Sequence, residues 1–192
     1  EEWLKPFVGL LTDLTVSSDL FHCDKAEGEY PQNAQVAAEK LNIPIGMISI
    51  DQPEIEDGER VMYRGRAAKE LVKKAVSSYS WDIFDSCPHE DLSEPGRVHL
   101  DPLGNVHICQ GISIGNVFET PLKKICDSYA KDNHPICGPL IAGGPAALVT
   151  EYNLPHASHY ADACHLCYEA RVALRTRFPT LLAPDQMYGV MK

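Results

Sequence analysis

The chain has 192 residues, enough for one medium domain, or a domain with a small appendage, and for a sizeable core in either case. Its hydrophobic share of 44% and charged share of 23% are those of a folded globular protein, and no apolar run approaches the roughly 20 residues that span a bilayer, which excludes a transmembrane helix. A net charge of −10 with dispersed Lys and Arg offers no basic stripe to a phosphate backbone, which argues against nucleic acid as a direct partner.

The opening Glu1-Glu-Trp-Leu-Lys-Pro6 has no initiating Met, so the chain is expected to be part of something longer. Residues 7–16, rich in Val, Leu and Thr, predict a buried strand that opens into a loop at 17–22. Residues 31–41 predict a helix, with Pro31 in its first turn, Ala34, Ala37, Ala38 and Leu41 on one face and Asn42 as a stop. A second strand is expected over 45–50. Strand, helix and strand in this order imply a crossover unit of a parallel sheet. Residues 65–76 read as another helix, with Ala68, Leu71, Val72 and Ala75 on one face, and the α/β portion is expected to span 1–80.

The character changes over 81–192. Residues 97–100 and 105–109 flank Asp101-Pro-Leu-Gly104, a strong hairpin signal. Residues 120–129 predict a helix with Leu122, Ile125, Cys126 and Tyr129 at core spacing, Cys126 being read as a core thiol. Gly138-Pro-Leu-Ile-Ala-Gly-Gly-Pro145 lacks the Gly-Lys-Ser/Thr of a phosphate loop and reads as a turn with Pro145 starting a helix.

Seven cysteines in a chain without a recognisable signal peptide fit metal or cluster chemistry in a reducing cytoplasm better than a disulfide framework. The preferred ligand set is Cys87, Cys109, Cys164 and Cys167: one before the hairpin, one ending its second strand, and a Cys-x-x-Cys pair at the start of the final helix. Four thiolates complete a 4Fe-4S cluster, and the same spacing satisfies an all-cysteine zinc site; spacing does not separate the two. Cys137 can replace one of the four. His156, His159 and His165 crowd the terminal pair, as mixed zinc ligands or as local hydrogen-bonding groups. His22 and Cys23 form a weak nucleophile and base pair, because neighbours on an extended chain point apart.

Cys87, the run Val98-His-Leu-Asp-Pro-Leu-Gly-Asn-Val-His-Ile-Cys109, Ile114-Gly-Asn-Val117, Leu122-Lys-Lys-Ile125 and Cys164-His-Leu-Cys167 together resemble the radical S-adenosylmethionine (radical SAM) enzymes that carry a C-terminal SPASM or twitch extension. In that family a cysteine precedes a hairpin, a glycine lies five residues before the next cysteine, an Ile-Gly-Asn-like turn leads into a helix, and later cysteines finish an auxiliary cluster. The resemblance covers roughly the second half of the chain. It implies a fold in which the last strands and helices of a partial (β/α) barrel precede a small α+β hairpin-helix module. It also implies an iron-sulfur oxidoreductase or maturase with one auxiliary 4Fe-4S cluster, as in the twitch type, and S-adenosylmethionine as cofactor of the full-length enzyme.

The family's Cys-x-x-x-Cys-x-x-Cys loop for the catalytic cluster is absent, Tyr160 standing where Cys164 and Cys167 would need a third thiolate, so that loop is expected upstream of Glu1. The implied partners are the N-terminal remainder of the enzyme and a peptide or small-molecule substrate. Ser17, Asp19 and His22, where a parallel strand ends, are candidates for cofactor or substrate contact, with a solvated, capped loop as the alternative. Arg66 is read in the same two ways, as a contact or as a helix-start residue. The competing function is a zinc-binding structural module that mediates protein interaction.

Overall fold

The computed structural model describes residues 1–19, 29–50 and 61–190, which form a mixed α/β fold of small sheets and five α-helices without a closed barrel. Contacts divide the chain into two compact units, 1–61 and 62–192. Among the described residues no helix is long and apolar enough to cross a membrane.

In the first unit, β1 (Leu14–Ser17) pairs in parallel with β2 (Ile45–Ile48) through the intervening α1 (Glu29–Lys40). The crossover read from the sequence is present, and α1 buries Ala37 and Ala38 at its core face. The strand expected over 7–16 is shorter. Pro6 seats a 3-10 turn at Lys5–Phe7, where a proline ring is pre-set for helical φ, and Val8 and Leu10 stay exposed, so pairing begins only at Leu14.

The second unit opens with α2 (Arg66–Glu70), which gives way to a 3-10 turn at Val72–Lys74 instead of running to residue 76. Only Ala68 is buried on it, too little tertiary support to propagate so short a helix. A two-residue ladder joins β3 (Tyr79–Ser80) to β7 (His159–Tyr160). The expected hairpin is β4 (His99–Leu100) with β5 (Asn105–Cys109), and it gains a third strand, β6 (Ile112–Asn116). The Ile114–Val117 stretch is therefore mostly strand: the chain reverses at Gln110-Gly111, directly after Cys109, and Cys109 pairs with Ile112. Only after Asn116 does it turn toward α3 (Leu122–Asp127).

Cys126 on α3 is exposed, not a core thiol. With six residues, α3 buries one side chain, Ile125, against Gly115, and Leu122 remains 44% exposed, so the predicted apolar face narrows to a single buried residue on this helix. Helix α4 (Cys137–Glu151) is two helical segments joined by a break at Gly143-Gly144, with Pro145 opening the second, as its fixed φ favours. The final helix, α5 (Ala163–Leu174), packs on α4. Ile108, Ile112, Ile136, Leu148, Leu166 and Leu182 fill the core between sheet and helices, each contributing roughly 1.5–3 kcal/mol by leaving water.

Asp101 locks the hairpin. Its Oδ1 accepts the Leu103 and Asn105 backbone N–H, both at 2.9 Å, and its Oδ2 accepts Asn105 Nδ2 at 2.9 Å and His107 Nε2 at 3.1 Å. Gly104 closes the turn at φ +82, where a Cβ would lie 2.6 Å from the Phe118 ring. This is the physical reason for a glycine five residues before Cys109.

Burial pushes the Asp101 carboxyl up, but the bonds from Asn105, His107 and the two backbone N–H groups outweigh it and hold the carboxyl below its ordinary value. The unfolded chain then binds more protons than the folded one near that value, so the stabilisation is complete above about pH 4 and is lost as pH falls through the folded value. Asp101→Asn is expected to cost about 2 kcal/mol at neutral pH. Urea denaturation at pH 7 and pH 3 should show the gap to wild type narrowing in acid; a gap that persists at pH 3 would exclude the charged form as its source.

Candidate metal centre

Four separate elements deliver sulfur to one region of the second unit. Cys109 ends β5, and Cys164 and Cys167 lie on the first turns of α5. Asp162 caps α5, its Oδ1 accepting the His165 N–H at 2.6 Å while its Oδ2 accepts the Tyr63 N–H at 3.1 Å. That second bond fixes the segment that carries Arg64. Cys87 follows the 3-10 turn Trp81–Ile83, a segment tied to α4 where the Ala146 N–H donates to the Phe84 carbonyl at 3.1 Å. Cys137 begins α4, and the His134 ring caps it, Nδ1 accepting the Ile136 and Cys137 N–H at 3.2 and 3.0 Å.

Cys109 and Cys167 lie within electrostatic reach of each other, of Cys137 and of Cys164, and Cys87 lies within reach of Cys167. All six described cysteines are free thiols. Burial pushes the Cys167 thiol up to about 11, with Arg171 pulling against it, and the Cys137 thiol up to about 12; burial also holds Cys164 far above the ordinary thiol range. Left to themselves Cys137, Cys164 and Cys167 stay protonated at pH 7, and a metal bound there would ionise its ligands by displacing the protons.

Two guanidinium groups enter the nest. Arg64 Nη1 donates to Cys109 Sγ at 3.8 Å. Arg171, 2% exposed, donates to the Gln110 carbonyl at 2.8 Å and to the Cys167 carbonyl at 3.3 Å, and its charge acts on the Cys167 thiol. Among the described residues no carboxylate pairs with it. Nor, among them, do three His, Cys, Asp or Glu side chains converge tightly enough to hold a metal ion as they stand.

Comparison with protein-family models, with curated proteins and with solved structures finds no match. What the nest can do follows from its donors. Soft, buried thiols suit iron-sulfur clusters, zinc or copper(I) better than they suit cations that prefer oxygen ligands.

All four cysteines singled out in the sequence lie in this unit, and Cys137, the fifth, joins the nest fully buried. The three nearby histidines are engaged locally: His156 Nδ1 sits 2.9 Å from the Ala157 carbonyl with its ring on Trp81, His159 bonds Ser158, and His165 Nδ1 accepts the Ala161 N–H. In the first unit, Ser17 ends β1 and Asp19, 2% exposed, follows it; His22 and Cys23 lie outside the described residues.

The two arginines escaped the sequence reading. Arg171 had a usable signal, four residues after Cys167 and seven after Cys164 on one helix face. Arg64 had none, since 45 residues separate it from Cys109.

Proposed function

We propose that the chain is the C-terminal portion of a radical SAM iron-sulfur oxidoreductase or maturase, with one auxiliary 4Fe-4S cluster held by Cys87, Cys109, Cys164 and Cys167. The observation that supports this reading most is the buried, carboxylate-free Arg171 among these thiols. A buried cation needs a counter-charge, and ionised sulfurs around a metal centre provide one. A four-iron cluster bound here supplies one-electron transfer, and four cysteine ligands leave no iron open. A single zinc would require sulfurs drawn to about 3.8 Å of one another, the tetrahedral spacing for Zn–S bonds near 2.3 Å.

This chain's own residues hold, orient and shield the centre. Asp162 and the Gln110-Gly111 reversal fix the two main sulfur-bearing elements, while the core around Ile108 and Leu166 excludes water. Cys87 borders an open groove of about 440 Å³ with His89, Glu90 and Asp91, the side from which a substrate or electron partner can approach. The first unit supplies partial-barrel wall, with Ser17, Asp19 and His22 as contacts for S-adenosylmethionine or a peptide or small-molecule substrate. S-adenosylmethionine cleavage belongs to the N-terminal remainder of the enzyme.

The test is iron, acid-labile sulfide and zinc per chain after strictly anaerobic purification, with a Cys164→Ala, Cys167→Ala double variant alongside. About four irons and four sulfides are expected in the wild type and neither in the variant. One zinc without sulfide would make the centre a structural module for protein interaction and would sink the radical-enzyme reading.

A further inference from the structure

Metal sites usually draw their second layer of contacts from carboxylates, carbonyls or water around the ligands. Here that layer includes two cations. Arg64 comes from the segment before α2 and Arg171 from the middle of α5, so they approach from different elements and reach different sulfurs, Cys109 and Cys167. Arg171 is held rigidly: two backbone carbonyls fix its Nε and Nη1, and its guanidinium carbon lies 5.8 Å from the Tyr188 ring centre. Its other electrostatic neighbours are Cys109, Cys164 and the Tyr188 phenol, with no carboxylate among them. The ionisable groups that answer this guanidinium's charge are thiols and one phenol, beside the two backbone carbonyls that accept its hydrogen bonds.

We propose that Arg64, donating to the Cys109 sulfur, and Arg171, a fixed charge beside Cys167, compensate the charge of these sulfurs, and that together they raise the reduction potential of the cluster the sulfurs hold. The inference rests on the iron-sulfur reading above. Its sign is electrostatic. Four thiolates around a 4Fe-4S core already carry net negative charge, and a further electron adds to it, so fixed positive charge and N–H donors at the sulfurs stabilise the reduced form more than the oxidised one. Two arginines also balance charge better than one: an auxiliary cluster with a net charge of about −2 meets two cations.

The experiment is a mediated redox titration of anaerobically purified protein, followed by electron paramagnetic resonance of the reduced cluster. Dithionite donates one electron to each cluster, and no covalent bond forms or breaks. Iron and sulfide are measured first on the wild type, then on Arg64→Gln, Arg171→Lys and Arg171→Met. Arg64→Gln and Arg171→Met are each expected to lower the reduced fraction about tenfold at a fixed potential, a midpoint about 59 mV more negative for one electron. Arg171→Lys keeps the charge, loses the two-carbonyl fork and is expected to shift less than Arg171→Met.

A midpoint unmoved in Arg64→Gln at wild-type iron and sulfide overturns the inference and leaves the function reading standing. Should Arg171→Met fail to retain iron, the more exposed Arg64→Gln decides alone. A wild type without iron and sulfide overturns the function reading, and this inference falls with it.

Discussion

Gly144→Ala is expected to cost about 4 kcal/mol. Two terms add. At φ +62 and ψ −162 the residue occupies a region of backbone space that is essentially confined to glycine, a penalty of roughly 1–3 kcal/mol for any side chain. A Cβ would also stand 2.3 Å from Ser86 N, 2.4 Å from Asp85 C and 2.5 Å from Phe84 O. These are backbone atoms and cannot swing aside like a side chain, so the segment or the helix must move, for roughly 1–3 kcal/mol more.

The functional consequence follows from chain order. Ser86 immediately precedes Cys87, and displacing it displaces a candidate ligand. Iron per chain should therefore fall together with stability. Gly143→Ala is the control, because Gly143 has an extended φ of −173 and its Cβ would meet only the Ala147 methyl, at 3.0 Å. Chemical denaturation of both variants checks this; equal midpoints for the two would show that the Gly144 contact is not tight.

Tyr188→Ala is the second large loss, expected at about 4 kcal/mol. Tyr188 is 2% exposed, stacks on Tyr168 at 5.8 Å and 16°, and carries the Arg175 guanidinium 4.8 Å from its ring centre. Its hydroxyl donates to the Gly111 carbonyl at 2.6 Å, which pins the C-terminal segment to the reversal after Cys109. The backbone carbonyl of Tyr188 accepts from Lys69 and from Tyr168, both at 3.0 Å, and those bonds survive the substitution.

Truncation thus removes the ring and its hydroxyl but not the tie to α2. Tyr188→Phe keeps the ring and strands one buried carbonyl, for about 1.5 kcal/mol. Thermal or urea unfolding of the pair separates packing from hydrogen bonding. A Tyr188→Ala loss no larger than that of Tyr188→Phe would mean that the ring contributes little.

Local signals in the sequence carried well where one element settled its own structure. Alanines at helical spacing after Pro31 made α1, and Asp101-Pro-Leu-Gly104 made the hairpin turn, because each depends on neighbours a few residues away. They failed where a distant surface decided. Periodicity marked Cys126 as core, yet Ile125 is the one residue that α3 buries. The resemblance implied a turn over 114–117, whereas pairing with β5, a relation between two strands, makes most of that stretch strand. The break in α4 was legible as Gly-Gly-Pro, but its cause, the backbone of Phe84 to Ser86 pressing on Gly144, lies about 60 residues away along the chain.

For the candidate centre the same division holds. By itself the sequence determined the donor chemistry, since thiols at the spacing of Cys164 and Cys167 share one side of a helix, and a glycine before Cys109 closes a turn that aims the strand. Only the tertiary structure decided that Cys137 shares the nest, that Cys126 does not belong to the core, and that two arginines reach the sulfurs. The reason is physical. Covalent spacing fixes which groups a short segment can present, whereas burial and charge compensation depend on which segments the core brings together.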